Sequence, residues 1–130
     1  MRYVRLGPVV SVLVLVFCAG ALMNCGSDRT TLTGVSVSPQ QATGTATVGK
    51  VQFTATGTFS DNSNRQLSAS DGVNWTSSDT STATIDGNGG ASCLNNGLVT
   101  ITATVPANSG ANNTSSDKSG TATLKCLLAG

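Results

Sequence analysis

The stretch Val51-Gln52-Phe53-Thr54-Ala55-Thr56-Gly57-Thr58-Phe59 decides the fold. Its odd positions carry Val51, Phe53, Ala55, Gly57 and Phe59, and its even positions carry Gln52, Thr54, Thr56 and Thr58. An extended chain sends successive side chains to opposite faces, so this segment has one apolar face and one hydroxylated face. That is the pattern of a half-buried strand in an antiparallel sheet. The same alternation recurs downstream, where Val99, Ile101, Ala103 and Val105 stand opposite Thr100, Thr102 and Thr104, and Ala122, Leu124 and Cys126 stand opposite Thr121, Thr123 and Lys125. Shorter versions occur at Val35/Val37, Val73/Trp75 and Ala83/Ile85.

Clusters of Gly, Asn, Asp and Ser separate these runs at 60–64, 68–72, 86–90, 95–97 and 108–120. About seven short strands joined by turns predict an all-β fold, a β-sandwich of two antiparallel sheets. A single sheet would leave its apolar face in water, so two sheets pack face to face. The inward set by parity is Val35, Val37, Val51, Phe53, Ala55, Phe59, Val73, Trp75, Ala83, Ile85, Val99, Ile101, Val105, Ala122 and Leu124. Trp75 reads as core filler rather than as an exposed platform for sugars.

Composition agrees and excludes much else. The 130 residues are 38% apolar, 10% charged and 4% aromatic, with a net charge of +1, no His and no Glu. Thr, Ser, Asn and Gly make up nearly half of them, which favours strands and turns over helices. Histidine catalysis and His-ligated zinc are excluded outright, and the near-neutral balance offers no footprint for nucleic acid. Scattered Asp residues without an activated nucleophile give no catalytic residues, and no cofactor motif or EF-hand spacing occurs. Asp61, Asn62 and Asn64 read as turn residues rather than as a calcium set, and no metal ligands are assigned.

The first residues differ from all that follow. Arg2 and Arg5 precede the apolar run from Val9 to Phe17, and the small residues Cys18-Ala19-Gly20-Ala21 come next, the three-part layout of a secretory signal. The run falls short of the roughly 20 apolar residues of a membrane-spanning helix. Leu22-Met23-Asn24-Cys25-Gly26-Ser27 then resembles the lipobox of bacterial lipoproteins, in which the Cys is lipidated and becomes the new N-terminus. Asn24 departs from the small residue usual there. Residues 1–24 are thus expected as a lipoprotein signal peptide, 25–31 as a tether and 32–130 as the folded domain, with Cys25 the lipidation site and the membrane a partner through that anchor. Cleavage after Ala21 and secretion is the alternative.

Cys93 and Cys126 remain as an even pair in an exported chain, which reads as a disulfide. Closing the loop between them restricts the unfolded chain by about 3.5–4 kcal/mol.

With the strands in order, the series Val35-Ser36-Val37-Ser38-Pro39 and Val48-Gly49-Lys50-Val51-Gln52-Phe53 up to Asp61 resembles the opening of a bacterial Ig-like domain of group 2, the BIG2 type. Val73-Asn74-Trp75-Thr76-Ser77-Ser78-Asp79 is similar to the tryptophan strand of that family. Thr82-Ala83-Thr84-Ile85-Asp86, Val99 to Thr104 and Gly120 to Leu124 resemble its remaining strands. The Cys93/Cys126 pair and the insertion at 108–119 depart from the general pattern. The resemblance implies an Ig-like sandwich and a non-catalytic structural or adhesion role at the bacterial cell surface. A periplasm-facing lipoprotein with a protein partner, or a weak binder of cell-surface polysaccharide, is the alternative. The insertion has the composition of a flexible linker, so it is expected to be a tolerated loop.

Overall fold

The computed structural model describes residues 30–47 and 49–128. The expected signal peptide, Cys25 and most of the tether lie outside the described residues.

Among the described residues ten strands form: β1 (Leu32–Ser38), β2 (Gln41–Thr45), β3 (Val51–Gln52), β4 (Thr54–Phe59), β5 (Asn64–Leu67), β6 (Asn74–Ser77), β7 (Ala83–Ile85), β8 (Gly90–Cys93), β9 (Gly97–Val105) and β10 (Lys118–Leu127). One 3-10 turn among the described residues, Ala69–Asp71, lies between β5 and β6. The segment that announced the fold is divided at Phe53 into β3 and β4. Its first part pairs with β8 in the order β3-β8-β7, and its second part is the centre of β1-β4-β5. The facing sheet has the order β2-β10-β9-β6.

All pairings are antiparallel except that of β2 with β10. After β1 the chain turns at Pro39, which has no N–H to continue a ladder, and crosses to the other sheet. There β2 lies along β10 with Thr43 opposite Lys125 and Gly44 opposite Cys126. The Ser38–Pro39 peptide is cis.

The core follows the parity of the sequence. Phe53, Ala55 and Phe59 are buried from one layer, and Val99, Ile101, Val105, Ala122 and Leu124 from the other. Val35, Val51, Trp75 and Ile85 are only partly buried against this core. Trp75 is an instructive case, because β6 is a four-residue strand bonded on one side only, to β9, so an inward side chain there reaches the open flank of the sandwich. Leu32, Leu67 and Ala91 complete the core from strands whose ends or small residues hide the alternation.

Cys93 and Cys126 are disulfide-bonded, with Cα atoms 5.5 Å apart. The bridge is internal, as parity required, and ties β8 of one layer to β10 of the other. Next to it, a Cβ on Gly44 would lie 2.9 Å from Cys93 Sγ and 2.9 Å from Val51 Cγ2. Glycine is what lets β2 pass this close to the bridge.

The β9–β10 connection corrects the expectation of a flexible insertion. β10 begins at Lys118, opposite Val105, so the loop is Pro106 to Asp117. Asn112 is 1% exposed and organises it. Its Nδ2 donates to the carbonyls of Val105 and Ser116 at 3.0 and 2.9 Å, and its Oδ1 accepts from the Thr114 hydroxyl at 2.6 Å. The N–H of Ala111 donates to the Asp71 carbonyl at 2.8 Å, which docks the loop on the 3-10 turn. A linker composition built a folded loop because one Asn side chain can satisfy several backbone groups at once.

The chain enters and leaves at opposite ends. Thr30 lies at the Pro106–Asp117 end, where its carbonyl accepts from Asn113 Nδ2, while Leu128 lies beside Asn96 at the start of β9. The nine residues of β9 run between these ends, a distance of about 30 Å.

Candidate functional site

The described Asp side chains are spent on their own turns. Asp61 accepts from the Ser63 backbone and hydroxyl, which lowers its pKa. Asp79 is held at about 2 by the hydroxyls of Ser81 and Thr82 together with the Ser81 N–H. Asp86 is held at about 2 by Lys50, 2.6 Å away, and by the N–H groups of Gly90 and Asn88. Asp71 is held at about 2 by Arg65, 2.7 Å away, and by Ser68. Asp117 accepts from the N–H of Ala107. These carboxylates sit on separate turns, and among the described residues no three of His, Cys, Asp and Glu come together as a metal set. Their chemistry is that of turn staples. Cys93 and Cys126 are joined to each other and leave no thiolate for nucleophilic work.

Two surface features stand out among the described residues. The outer face of the β2-β10-β9-β6 sheet is a lattice of hydroxyls, in which Thr76, Thr102 and Thr121 share one row across three strands and Thr100 and Thr123 share the next. The lattice gives way to Leu98 and Lys125 near the Leu128 end, where an open depression of about 380 Å³ is lined by Gln41, Thr43, Leu98, Thr123 and Lys125. It is the larger hollow but has no aromatic side chain in it.

The smaller hollow, about 200 Å³, lies on the flank between the layers. Strand β8 pairs with the β3 end of the long segment at Gln52, and β5 pairs with its β4 part as far as Ala55. The stretch Phe53–Ala55 between these pairings floors a cleft, with Trp75 on one wall and the Gly87–Asn88 turn on another. The turn is fixed by Gln52, whose Nε2 donates to the carbonyls of Phe53 and Asn88 at 2.9 and 2.7 Å, and by the Phe53 N–H, which donates to the Gly89 carbonyl. Sequence parity placed Trp75 inward but gave no sign of this gap, which exists only because two strands stop short of each other along a third.

The sandwich has an inward tryptophan on the edge strand β6, and β2 crosses to pair in parallel with the last strand, β10. The sequence model described as bacterial Ig-like domain (group 2) matches residues 31–115. The chain belongs to that family. The match runs from just before β1 into the β9–β10 loop, so β10 and its Cys126 lie beyond it. Over 83 residues, 64% of its length, the group 2 Ig-like chain is 43% identical to Ice-binding protein 1 of Shewanella frigidimarina (strain NCIMB 400), and it spans only 9% of that protein. The chain therefore corresponds to a small part of this relative. No helix among the described residues is long and apolar enough to cross a membrane.

Proposed function

We propose that this chain is a bacterial cell-envelope lipoprotein, anchored through lipid on Cys25, whose Ig-like domain serves at the cell surface as a non-catalytic spacer or adhesion module. The observation that carries this reading is the axial path of the chain. The polypeptide enters at Thr30, spans about 30 Å of rigid sandwich and leaves at Leu128, so whatever follows or docks at that end is held off the membrane. The inter-layer disulfide and the hydroxylated faces suit an oxidising, hydrated surface. Leu22 before Cys25 and the Gly26-Ser27 tether support the anchor, because multiple acyl chains, at about 0.8 kcal/mol per buried methylene, hold firmly. Mass spectrometry of the mature N-terminus is expected to show an acylated Cys25, and Cys25→Ser is expected to move the protein out of the membrane fraction. An unmodified N-terminus at Leu22 would refute the anchor and leave a secreted domain.

A second reading has its own observation. The Shewanella relative is named for binding ice, and the hydroxyl lattice of Thr76, Thr102, Thr121, Thr100 and Thr123 is a regular polar surface. The small share of that protein that is matched favours the spacer reading, since a spacer module of a much longer chain gives the same identity. Partitioning of the purified domain into slowly growing ice separates the two: exclusion from the ice supports the spacer, and enrichment in it supports ice binding.

A further inference from the structure

We infer that the cleft between Trp75 and the Gly87–Asn88 turn is a binding site for one ring of a neutral polyhydroxylated ligand, a sugar unit of a surface polysaccharide. The inference rests on the adhesion side of the proposed function and gives it a place and a chemistry. Trp75, the sole tryptophan of the chain, is half-buried: the core holds one side of it and the other borders the cleft. Aromatic faces carry negative charge density, which the weakly positive C–H face of a sugar ring matches.

Around the aromatic wall stand amides and hydroxyls, Gln66 and Asn88 on the rim with Thr54 and Ser68 beside them, and no charged side chain lines the cleft. Amides offer both a donor and an acceptor, which suits the paired hydroxyls of a sugar. Among the described residues the side-chain amides of Gln66 and Asn88 and the Trp75 indole N–H make no protein hydrogen bond, whereas Gln52 and Ser68, their neighbours, are engaged in holding the turns. The volume, about 200 Å³, is below the roughly 300–1,000 Å³ of sites that enclose a drug-sized molecule, so the cleft takes a single ring at the surface. The walls are preset, because the Asn88 turn is pinned through Gln52 and Asp86, and a preset site loses little entropy on binding.

The test uses the soluble chain from Gly26 onward, which contains every core residue and both cysteines of the bridge. It is titrated into the high millimolar range with glucose, galactose and N-acetylglucosamine, with Trp75 fluorescence as readout and amide shifts by NMR as map. At least one sugar is expected to give a saturable change, with shifts at the Trp75 indole N–H and at the side-chain amides of Gln66 and Asn88. Gln66→Ala and Asn88→Ala are each expected to weaken it roughly 3- to 10-fold, the loss of one hydrogen bond, at an unchanged thermal midpoint. A purely linear response to all three sugars, shifts confined to the Thr100/Thr123 face, or alanine variants that bind like the parent would overturn the site. Because the measurement is made in solution, its failure leaves the envelope anchor standing, and release of an unlipidated chain leaves the cleft standing.

Discussion

The side chain of Asn112 bonds back to the carbonyl of the last residue of β9, Val105, at 3.0 Å, and to the Ser116 carbonyl on the far side of the same loop at 2.9 Å. One buried amide thereby closes the β9–β10 connection. Asn112→Ala removes the buried donor to the Val105 carbonyl, while the exposed Ser116 carbonyl keeps the Thr114 hydroxyl as a donor, so urea unfolding is expected to show a loss of about 1–3 kcal/mol. Replacing residues 111–117 by a short Gly-Ser turn is expected to destabilise further, since it also removes the Ala111 bond to Asp71. An unchanged midpoint in both variants would mean that the loop is a passive insertion after all.

Gly110 tests the same docking from the backbone. Its φ is +47°, and a Cβ there would collide with the carbonyl group of Asp71. Gly110→Ala is therefore expected to lower the thermal midpoint by several degrees, an effect of about 1–3 kcal/mol, while the core disulfide stays formed. Thermal melts of the two proteins under oxidising conditions decide it.

These two residues also show where the sequence was legible and where it was not. The long alternating runs in β4, β9 and β10 read directly, because a strand buried on one face must alternate over its whole length. β2 (Gln41–Thr45) and β5 (Asn64–Leu67) carry too few apolar residues for a period to show, and β8 (Gly90–Cys93) is made of small ones. Their places are set by pairing with β10, β4 and β3, which no local pattern reports. The disulfide was legible from parity and export. The Trp75 cleft was not, since it arises from where β5 ends and β8 begins along one continuous segment.

The Cys93–Cys126 bridge joins the two layers between cysteines separated by 33 positions in sequence. Replacing both cysteines by Ala is expected to reduce stability by about 3–4 kcal/mol, and Gly44→Ala by about 1–3 kcal/mol because its methyl group meets Cys93 Sγ and Val51. In the background lacking both cysteines, Gly44→Ala is expected to cost less, since one of its two obstacles has gone. Equilibrium unfolding of the four proteins checks this coupling, and strict additivity would contradict the close contact.

Acid sensitivity follows from the carboxylates. Asp71, Asp79 and Asp86 stand at about 2 in the folded protein against an ordinary value of 3.8. A depressed folded pKa adds stability that is complete above the unfolded value and is lost as protons bind on the way down to the folded one. The thermal midpoint is thus expected to stay level from neutral pH to about 4 and to fall between about 4 and 2. Asp86→Asn is expected to shrink that drop, and a midpoint insensitive to pH across this window would contradict the turn-staple assignment.

The proposed display of the Ig-like module outside the cell on a lipid tether can be read by cutting that tether. A site-specific protease sequence inserted between Cys25 and Thr30 leaves the sandwich intact, and the protease is added to whole cells. The folded, disulfide-bonded domain is expected to be released into the medium from intact cells. Retention on intact cells, with release only after they are broken open, would contradict surface display and place the domain inside the envelope.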